Sequence, residues 1–139
     1  YGHHPKAVSV TLTAARDAWP DRRIVLCFEP HRYTRLQALF DDFVQALSVA
    51  DMLLLMPVYA CSESNIPGFD TRALCGALKA VGHASVHEVE YTEQLASVLQ
   101  QVLQSEDVLI CQGAGSLSQQ IRVLVESWQA EQVIAEAAE

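Results

Sequence analysis

The chain has 139 residues, of which 50% are apolar and 19% are charged, a length and composition that predict one folded domain and exclude a largely disordered chain. No apolar run approaches the ~20 residues that a membrane-spanning helix needs, so we expect no membrane partner. The net charge of −8 is divided unevenly, with +3 in residues 1–35 and −11 in the rest, so we expect no nucleic-acid partner and an anion site only in the N-terminal quarter.

Three short runs are continuously apolar, as strands covered on both faces of a parallel sheet are. They lie at 24–28, 52–56 and 108–111, and residues 86–91 predict a further, shorter strand. The four cysteines form no CxxC pair, and their spacing matches no common zinc pattern. We therefore predict no metal site in this chain, a reducing and hence cytoplasmic setting, and burial of Cys27 and Cys111 as small apolar side chains.

Helical apolar spacing fills the segments between these runs. A first helix begins at Pro5, a favourable first-turn residue, and Asp70 is placed to cap a later one. Strands alternating with helices predict an α/β fold, a three-layer sandwich with a mostly parallel sheet and helices on both faces. Ligands of such sheets bind at the loops that follow the strands. The predicted helices cover 5–19, 36–47, 73–81, 95–103 and 117–128, and the Ala/Glu-rich tail 131–139 is expected to be a frayed helix.

The segment after the first strand is the strongest candidate for an anion site. It reads Pro-His-Arg-Tyr-Thr-Arg and contains His31, Arg32 and Arg35 at the start of a helix. Guanidinium groups three residues apart can face one side, where they match a carboxylate or phosphate bidentately, and the helix N-terminus adds N–H donors. The alternative is a solvated basic turn paired with the acidic residues 41–42.

Two further loops carry candidate ligand contacts. Tyr1 and His3, in the opening Tyr-Gly-His-His-Pro, offer a phenol and an imidazole, although one of the adjacent histidines can instead cap the first helix. In the loop over 57–68, Tyr59 is a possible contact, and Glu63 can attract an ammonium group opposite the arginines. An ordinary surface loop is the alternative there. Glu29, at the end of its strand, can play the same role as Glu63.

The sequence Gly-Ala-Gly-Ser at 113–116 follows the last predicted strand. Two glycines before a helix allow close approach of a ligand, but a dinucleotide fingerprint requires glycine where Ser118 stands, and it should follow the first strand. We favour a tight turn with a serine cap over a cofactor loop. A GxxxxGK[ST] phosphate loop is absent from the sequence.

Taken in order, the motifs Tyr-Gly-His-His-Pro, Pro-His-Arg-Tyr-Thr-Arg, Val-Tyr-Ala, Ile-Pro-Gly and Gly-Ala-Gly-Ser resemble those of one family. From residue 1 to about 128, the chain resembles the C-terminal domain of the UDP-N-acetylmuramate–L-alanine ligases, which belong to the Mur ligases of peptidoglycan synthesis. The resemblance implies a Rossmann-like domain, with residues 1–139 a fragment of a longer, three-domain enzyme. The N-terminal and central domains are then its partners.

The same resemblance implies a reaction and a set of site residues. ATP and Mg²⁺, which this domain does not hold alone, activate the carboxylate of UDP-N-acetylmuramate as an acyl phosphate, and L-alanine attacks it. This domain then binds the L-alanine and closes over the nucleotide. His31, Arg32 and Arg35 then hold the L-alanine carboxylate, and Tyr1 and His3 lie on the nucleotide side. The isolated domain is expected to be inactive. The alternatives are a murein-peptide recycling ligase, a non-catalytic nucleotide- or metabolite-binding module, and a plain interaction domain.

Overall fold

The apolar runs form a parallel sheet of four strands in the computed structural model, which describes residues 2–137 and, for side chains, residues 2–130. All neighbouring strands are parallel, and the strand order is β3-β2-β1-β4. The predicted mostly parallel sheet is therefore confirmed. The strands are β1 (Ile24–Phe28), β2 (Met52–Leu55), β3 (Val86–Glu88) and β4 (Val108–Gln112).

Six α-helices connect and flank these strands in the described part of the chain, and a single 3₁₀ turn over Thr92–Gln94 precedes the fifth. Their order reproduces the predicted alternation, and the last helix continues through the predicted helical tail as far as Ala137. None of the described helices is long and apolar enough to cross a membrane. The helices are α1 (Pro5–Ala18), α2 (Tyr33–Ala38), α3 (Phe40–Leu47), α4 (Thr71–Ala80), α5 (Leu95–Val102) and α6 (Leu117–Ala137).

Each face of the sheet has its own buried core, because successive strand side chains point to opposite faces. Leu26 and Phe28 of β1 pack with α1, α2, α3 and α4 on one face, whereas Val25 and Cys27 pack with α5 and α6 on the other. The predicted three-layer sandwich is confirmed. It explains why β1 and β2 are apolar at every position: all nine of their residues are buried.

Two elements differ from the sequence prediction. The helix predicted over 36–47 is two helices, which meet at Leu39, whose φ of −125° is not helical. The apolar spacing does not reveal this break, since both helices keep Leu36 and Phe43 facing the same core. β4 is only half-buried over most of its length, Cys111 included, because it lies at the edge of the sheet.

The strand order has a direct consequence for where a ligand can bind. From β1 the chain crosses to β2 and β3 on one side, and β4 lies on the other side of β1. The connections therefore reverse direction between β1 and β4, and ligands of open α/β sheets bind near the carboxyl ends of the strands at such a reversal. The loops that follow β1 and β4 contain the basic turn and the Gly-Ala-Gly-Ser turn.

The predicted cap of α4 is present: Oδ1 of Asp70 accepts the N–H of Ala73 at 2.8 Å. Loss of an N-cap side chain costs about 0.5–2 kcal/mol. We expect Asp70→Ala to lower the free energy of unfolding of the 139-residue chain by about 1 kcal/mol, measured by urea denaturation. Asp70→Asn keeps an oxygen acceptor and should lose much less. An equal loss in both variants would contradict the cap assignment.

Candidate functional site at the carboxyl ends of β1, β2 and β4

The loops after β1 and β2 are joined through their backbones. The N–H of Tyr59 donates to the carbonyl of Pro30 at 2.8 Å, and the N–H of Arg32 donates to the carbonyl of Tyr59 at 2.9 Å. His31 and Tyr59 thus form an isolated parallel bridge beyond the ends of the strands. This pairing brings together two loops that are far apart in the sequence.

Three aromatic rings lie in contact across these loops. The His31 and Tyr59 rings are stacked, with centroids 5.6 Å apart and an angle of 12° between their planes. The ring of His3, which is buried, lies 5.1 Å from that of His31 at 34°. The structure therefore places three of the predicted site residues in one cluster. Tyr1 lies outside the described residues, so its predicted role stays a prediction.

The guanidinium of Arg35 fixes the orientation of His31. Nη1 of Arg35 lies 3.0 Å from Nδ1 of His31 and donates to the His31 carbonyl at 3.2 Å. Arginine can only donate, so Nδ1 of His31 must accept and its proton must be on Nε2. His31 is thereby prepared to donate a hydrogen bond through Nε2.

Arg32 is exposed and has an uncommon backbone conformation, with φ of 68°. A left-handed φ in a residue with a side chain is costly and is often found at functional sites. Its Nη2 lies 4.0 Å from Sγ of Cys61. Within the described residues, neither Arg32 nor Arg35 forms an ion pair with a carboxylate, so the alternative pairing with residues 41–42 is not observed.

The two histidines of the cluster are held in their neutral forms. Burial, followed by the positive charge of Arg35, lowers the pKa of His3. Burial, Arg35 and then Arg32 lower the pKa of His31, against smaller opposing effects of Glu29 and Glu63. Since the guanidinium groups remain charged at any physiological pH, they carry the positive charge of this site.

Glu63 contacts the start of α2. Its two carboxylate oxygens accept the backbone N–H of Thr34 at 3.0 Å and the Thr34 hydroxyl at 2.7 Å, and these donors lower the pKa of the Glu63 carboxyl. Glu63 therefore caps α2 from a different loop. Its predicted contact with a ligand ammonium stays a prediction, and the observed contact adds a structural role that the sequence did not suggest.

The carboxylate of Glu29 is buried and lies at the N-terminus of α6. Oε2 accepts the N–H of Gly115 at 2.9 Å and of Leu117 at 3.3 Å, while Oε1 accepts the N–H and the hydroxyl of Ser116 at 3.2 and 2.9 Å. The donors that a phosphate would use are therefore occupied by a negative group. The Gly-Ala-Gly-Ser turn does not fit a nucleotide phosphate, in agreement with the interpretation as a tight turn.

Both predicted roles of the Tyr-Gly-His-His-Pro segment, a helix cap and a contact in the candidate site, are found, each with a different histidine. His4 caps α1, since its Nδ1 accepts the N–H of Lys6 at 3.2 Å, and Pro5 occupies the first turn. His3 faces the aromatic cluster instead. The glycine between Tyr1 and His3 is required for space, because a Cβ atom at Gly2 would collide with the side chain of Gln112.

Sequence analysis missed the contact between Glu29 and the last turn. A glutamate at the end of one strand and a Gly-x-Gly-Ser turn at the end of another are visible in the sequence, but they come together only because β1 and β4 are neighbours. The sequence also gave no indication that Gln112 is buried at this point, with an Oε1 that accepts no hydrogen bond within the described residues.

Residues 1–115 match the family model described as Mur ligase, glutamate ligase domain. The chain belongs to the Mur ligase family. This result confirms the family named from the sequence motifs, and the match includes the loops that follow β1 and β2.

Solved structures of Mur ligases have the same fold as this domain. The UDP-N-acetylmuramate–alanine ligase of Thermotoga maritima matches 94% of the chain with a TM-score of 0.71 and 24% identity, and the chain spans 26% of that protein. A domain assigned to a UDP-N-acetylmuramate:L-alanyl-γ-D-glutamyl-diaminopimelate ligase of Haemophilus ducreyi matches 91% of the chain, with a TM-score of 0.64, 16% identity and 85% of its own length covered.

A murein peptide ligase of Psychrobacter arcticus matches 91% of the chain with a TM-score of 0.62 and 17% identity, and the chain spans 26% of it. At these identities the likeness is one of fold. This Mur ligase domain therefore spans about a quarter of the length of the Thermotoga and Psychrobacter enzymes it resembles.

The lowered pKa values of His3 and His31 predict a loss of stability in mild acid. A histidine in the unfolded chain takes up a proton near pH 6.5, whereas His3 and His31 in the folded chain take one up only at lower pH. Below about pH 6.5 the unfolded chain therefore binds more protons than the folded chain. The contribution of the two histidines to the free energy of unfolding is complete above that pH, and it decreases as the pH falls through and below it.

Urea denaturation of the 139-residue chain between pH 7.5 and pH 5 measures this effect above the range in which carboxylates titrate. His31→Gln should unfold with a smaller loss over the same interval, because one of the two contributing groups is gone. A free energy of unfolding that stays constant or rises towards pH 5 would show that the imidazoles are not held neutral.

Proposed function

We propose that this chain is the amino-acid-binding domain of an ATP-dependent ligase that joins L-alanine to UDP-N-acetylmuramate in peptidoglycan synthesis, in the cytoplasm. The observation that carries the proposal is the pair of guanidinium groups at the carboxyl end of β1, beside the loop after β2, which form no ion pair with any carboxylate of the described residues. In a chain with a net charge of −8, such a basic site is suited to an anionic ligand.

The geometry favours a small carboxylate as that anion. Within the described residues, Arg35 has only neutral hydrogen-bond partners, the carbonyl and Nδ1 of His31, and Arg32 has a thiol at 4.0 Å. A ligand carboxylate offers both guanidiniums a charge-assisted bond, and Nε2 of His31 adds a neutral donor. Glu63, at the rim of the same loops, supplies a negative charge suited to the ammonium end of an amino acid.

A nucleotide phosphate fits this domain less well than a carboxylate does. The N-termini of α2 and α6, the helices that follow β1 and β4, are both occupied by carboxylates, those of Glu63 and Glu29. The family resemblance implies that the central domain holds the phosphate loop and Mg²⁺, while this domain contributes the amino acid and closes over the nucleotide. By holding the carboxylate end, the domain leaves the amine free to meet the activated muramoyl carboxyl when the domains close, a movement that also excludes water.

Substitution of either arginine tests this proposal in the ligase that contains the chain. A charge-assisted bidentate contact is worth about 1.5–3 kcal/mol, so Arg32→Ala and Arg35→Ala should each raise KM for L-alanine by about ten- to a hundredfold. Arg35→Lys, which keeps the charge and loses the fork, should fall between Arg35→Ala and the parent.

Arg122→Ala is the matched control, since Arg122 is exposed on α6 and takes part in no ion pair of the described residues. Its KM should equal that of the parent. An unchanged KM for L-alanine in both Arg32→Ala and Arg35→Ala would remove the carboxylate site and favour a plain interaction domain.

A murein-peptide recycling ligase is the second candidate. It is supported by the fold shared with the Haemophilus and Psychrobacter proteins, whose described activities involve peptides. A peptide also presents a carboxylate, so the arginines alone do not separate the two candidates. The discriminating feature is the size of the acceptor that joins UDP-N-acetylmuramate.

We expect ATP-dependent release of phosphate by the complete ligase with UDP-N-acetylmuramate and free L-alanine, and little or none when L-alanine is replaced by the L-alanyl-γ-D-glutamyl-diaminopimelate tripeptide. Phosphate release with the tripeptide alone would assign the chain to the recycling enzymes. Glycine provides the graded control, because the loss of one methyl group changes the transition-state energy by only ~1–3 kcal/mol.

A further inference from the structure

The turn that Glu29 holds lies directly against Tyr59. A Cβ atom at Gly115 would come within 2.5 Å of Cγ and Cδ2 of the Tyr59 ring and 2.7 Å of Oε2 of Glu29. Gly115 does not have a positive φ, so glycine is needed there for space and not for backbone conformation. The ring of Tyr59 therefore rests on backbone whose position is set by Glu29.

The ring of Tyr59 also contacts the side chains of the basic turn. It stacks on His31, and Nδ1 of His31 is held by Arg35. A continuous series of contacts thus connects a buried carboxylate at the end of β1 with the guanidinium of Arg35. Two backbone hydrogen bonds, with Pro30 and Arg32, fix the backbone of Tyr59. Its side chain lies outside the buried core, since the residue is 42% exposed, so the contacts of its ring with Gly115 and His31 orient that ring.

We propose that Glu29 is a positioning residue: by holding the turn over 113–116 against the end of β1, it keeps Tyr59 stacked on His31 and so presets His31 and Arg35 for their ligand. That this ligand is an amino-acid carboxylate rests on the proposed function, whereas the positioning itself does not. Glu29 acts through the turn, since its four acceptor contacts are all used within the protein.

A carboxylate suits this task better than the isosteric amide. The groups that meet Glu29 are three backbone N–H groups and one hydroxyl, all donors, at a helix N-terminus that favours negative charge. In Glu29→Gln, one of the two oxygens becomes an NH₂ group that faces these donors. The turn must then shift, and Tyr59 loses its support.

The pKa of His31, followed by NMR in the 139-residue chain, reports this positioning independently of any ligase activity. Burial lowers that pKa, whereas the charge of Glu29 raises it. Removal of the charge alone would therefore lower the pKa of His31 in Glu29→Gln. Release of Tyr59 would expose the imidazole and raise it, so the sign of the change separates positioning from direct electrostatics. The charged or titratable groups that act on His31 are Arg35, Arg32, Glu29, Glu63 and its neighbour His3.

We expect the pKa of His31 to rise in Glu29→Gln and also in Gly115→Ala, which leaves every charge in place and displaces the Tyr59 ring. Gly76→Ala is the matched control, because a Cβ atom there meets nothing within 4 Å, and it should leave the pKa of His31 unchanged. A pKa that falls in Glu29→Gln, or that does not change in Gly115→Ala, would overturn the proposal. Should Gly115→Ala fail to fold, the direction in which the pKa of His31 changes in the isosteric Glu29→Gln decides the question.

In the complete ligase, Glu29→Gln should raise KM for L-alanine severalfold, with a smaller change in kcat. The two proposals fail in different ways. If the arginine variants leave KM unchanged while the pKa of His31 rises, the assigned ligand is wrong and the positioning stands. If the arginine variants raise KM while the pKa of His31 falls in Glu29→Gln, the carboxylate site stands and the positioning role is wrong.

Discussion

The parallel pairing of β1 with both β2 and β4 is the constraint on which the candidate site depends. Because β1 is central, the three loops that follow these strands leave the sheet at one edge, side by side. The stacked rings of His31 and Tyr59, the arginines and the Glu29 contact all come from these loops. The flanking cores on both faces hold the strand ends rigidly, so the loops start from fixed points.

The positive charge of the candidate site depends on which groups the nearby carboxylates contact. Four other arginines form ion pairs, among them Arg16 with Asp51 and Arg23 with Asp107. Near the basic turn, the two carboxylates whose charges act on His31 accept hydrogen bonds from other groups, Glu29 at the start of α6 and Glu63 at the start of α2. Each acidic group thus stabilises a helix N-terminus. The guanidinium groups of Arg32 and Arg35 form no ion pair within the described residues, which is the basis of the proposed carboxylate site.

Much of the fold was predictable because its signals are local. The continuous apolarity of β1 predicted a buried parallel strand, and Asp70 predicted the start of α4. The place of the arginines directly after the first apolar run predicted the basic turn at the end of β1. The break at Leu39 was not predictable, since two short helices and one long helix present the same apolar face. The half-exposure of β4 was missed for a related reason: an apolar run does not show whether a strand has one neighbour or two.

The sequence by itself determined the elements, their alternation and the residues of the basic turn, because each depends on side chains close together in the chain. It did not determine which loops meet. Only the tertiary structure, through the order β3-β2-β1-β4, brought Tyr59 onto His31 and the Gly-Ala-Gly-Ser turn onto Glu29. The physical reason is that strand order is set by packing between distant segments. The same glutamate that sequence alone offered as a ligand contact therefore became, once β4 lay beside β1, the cap of another helix.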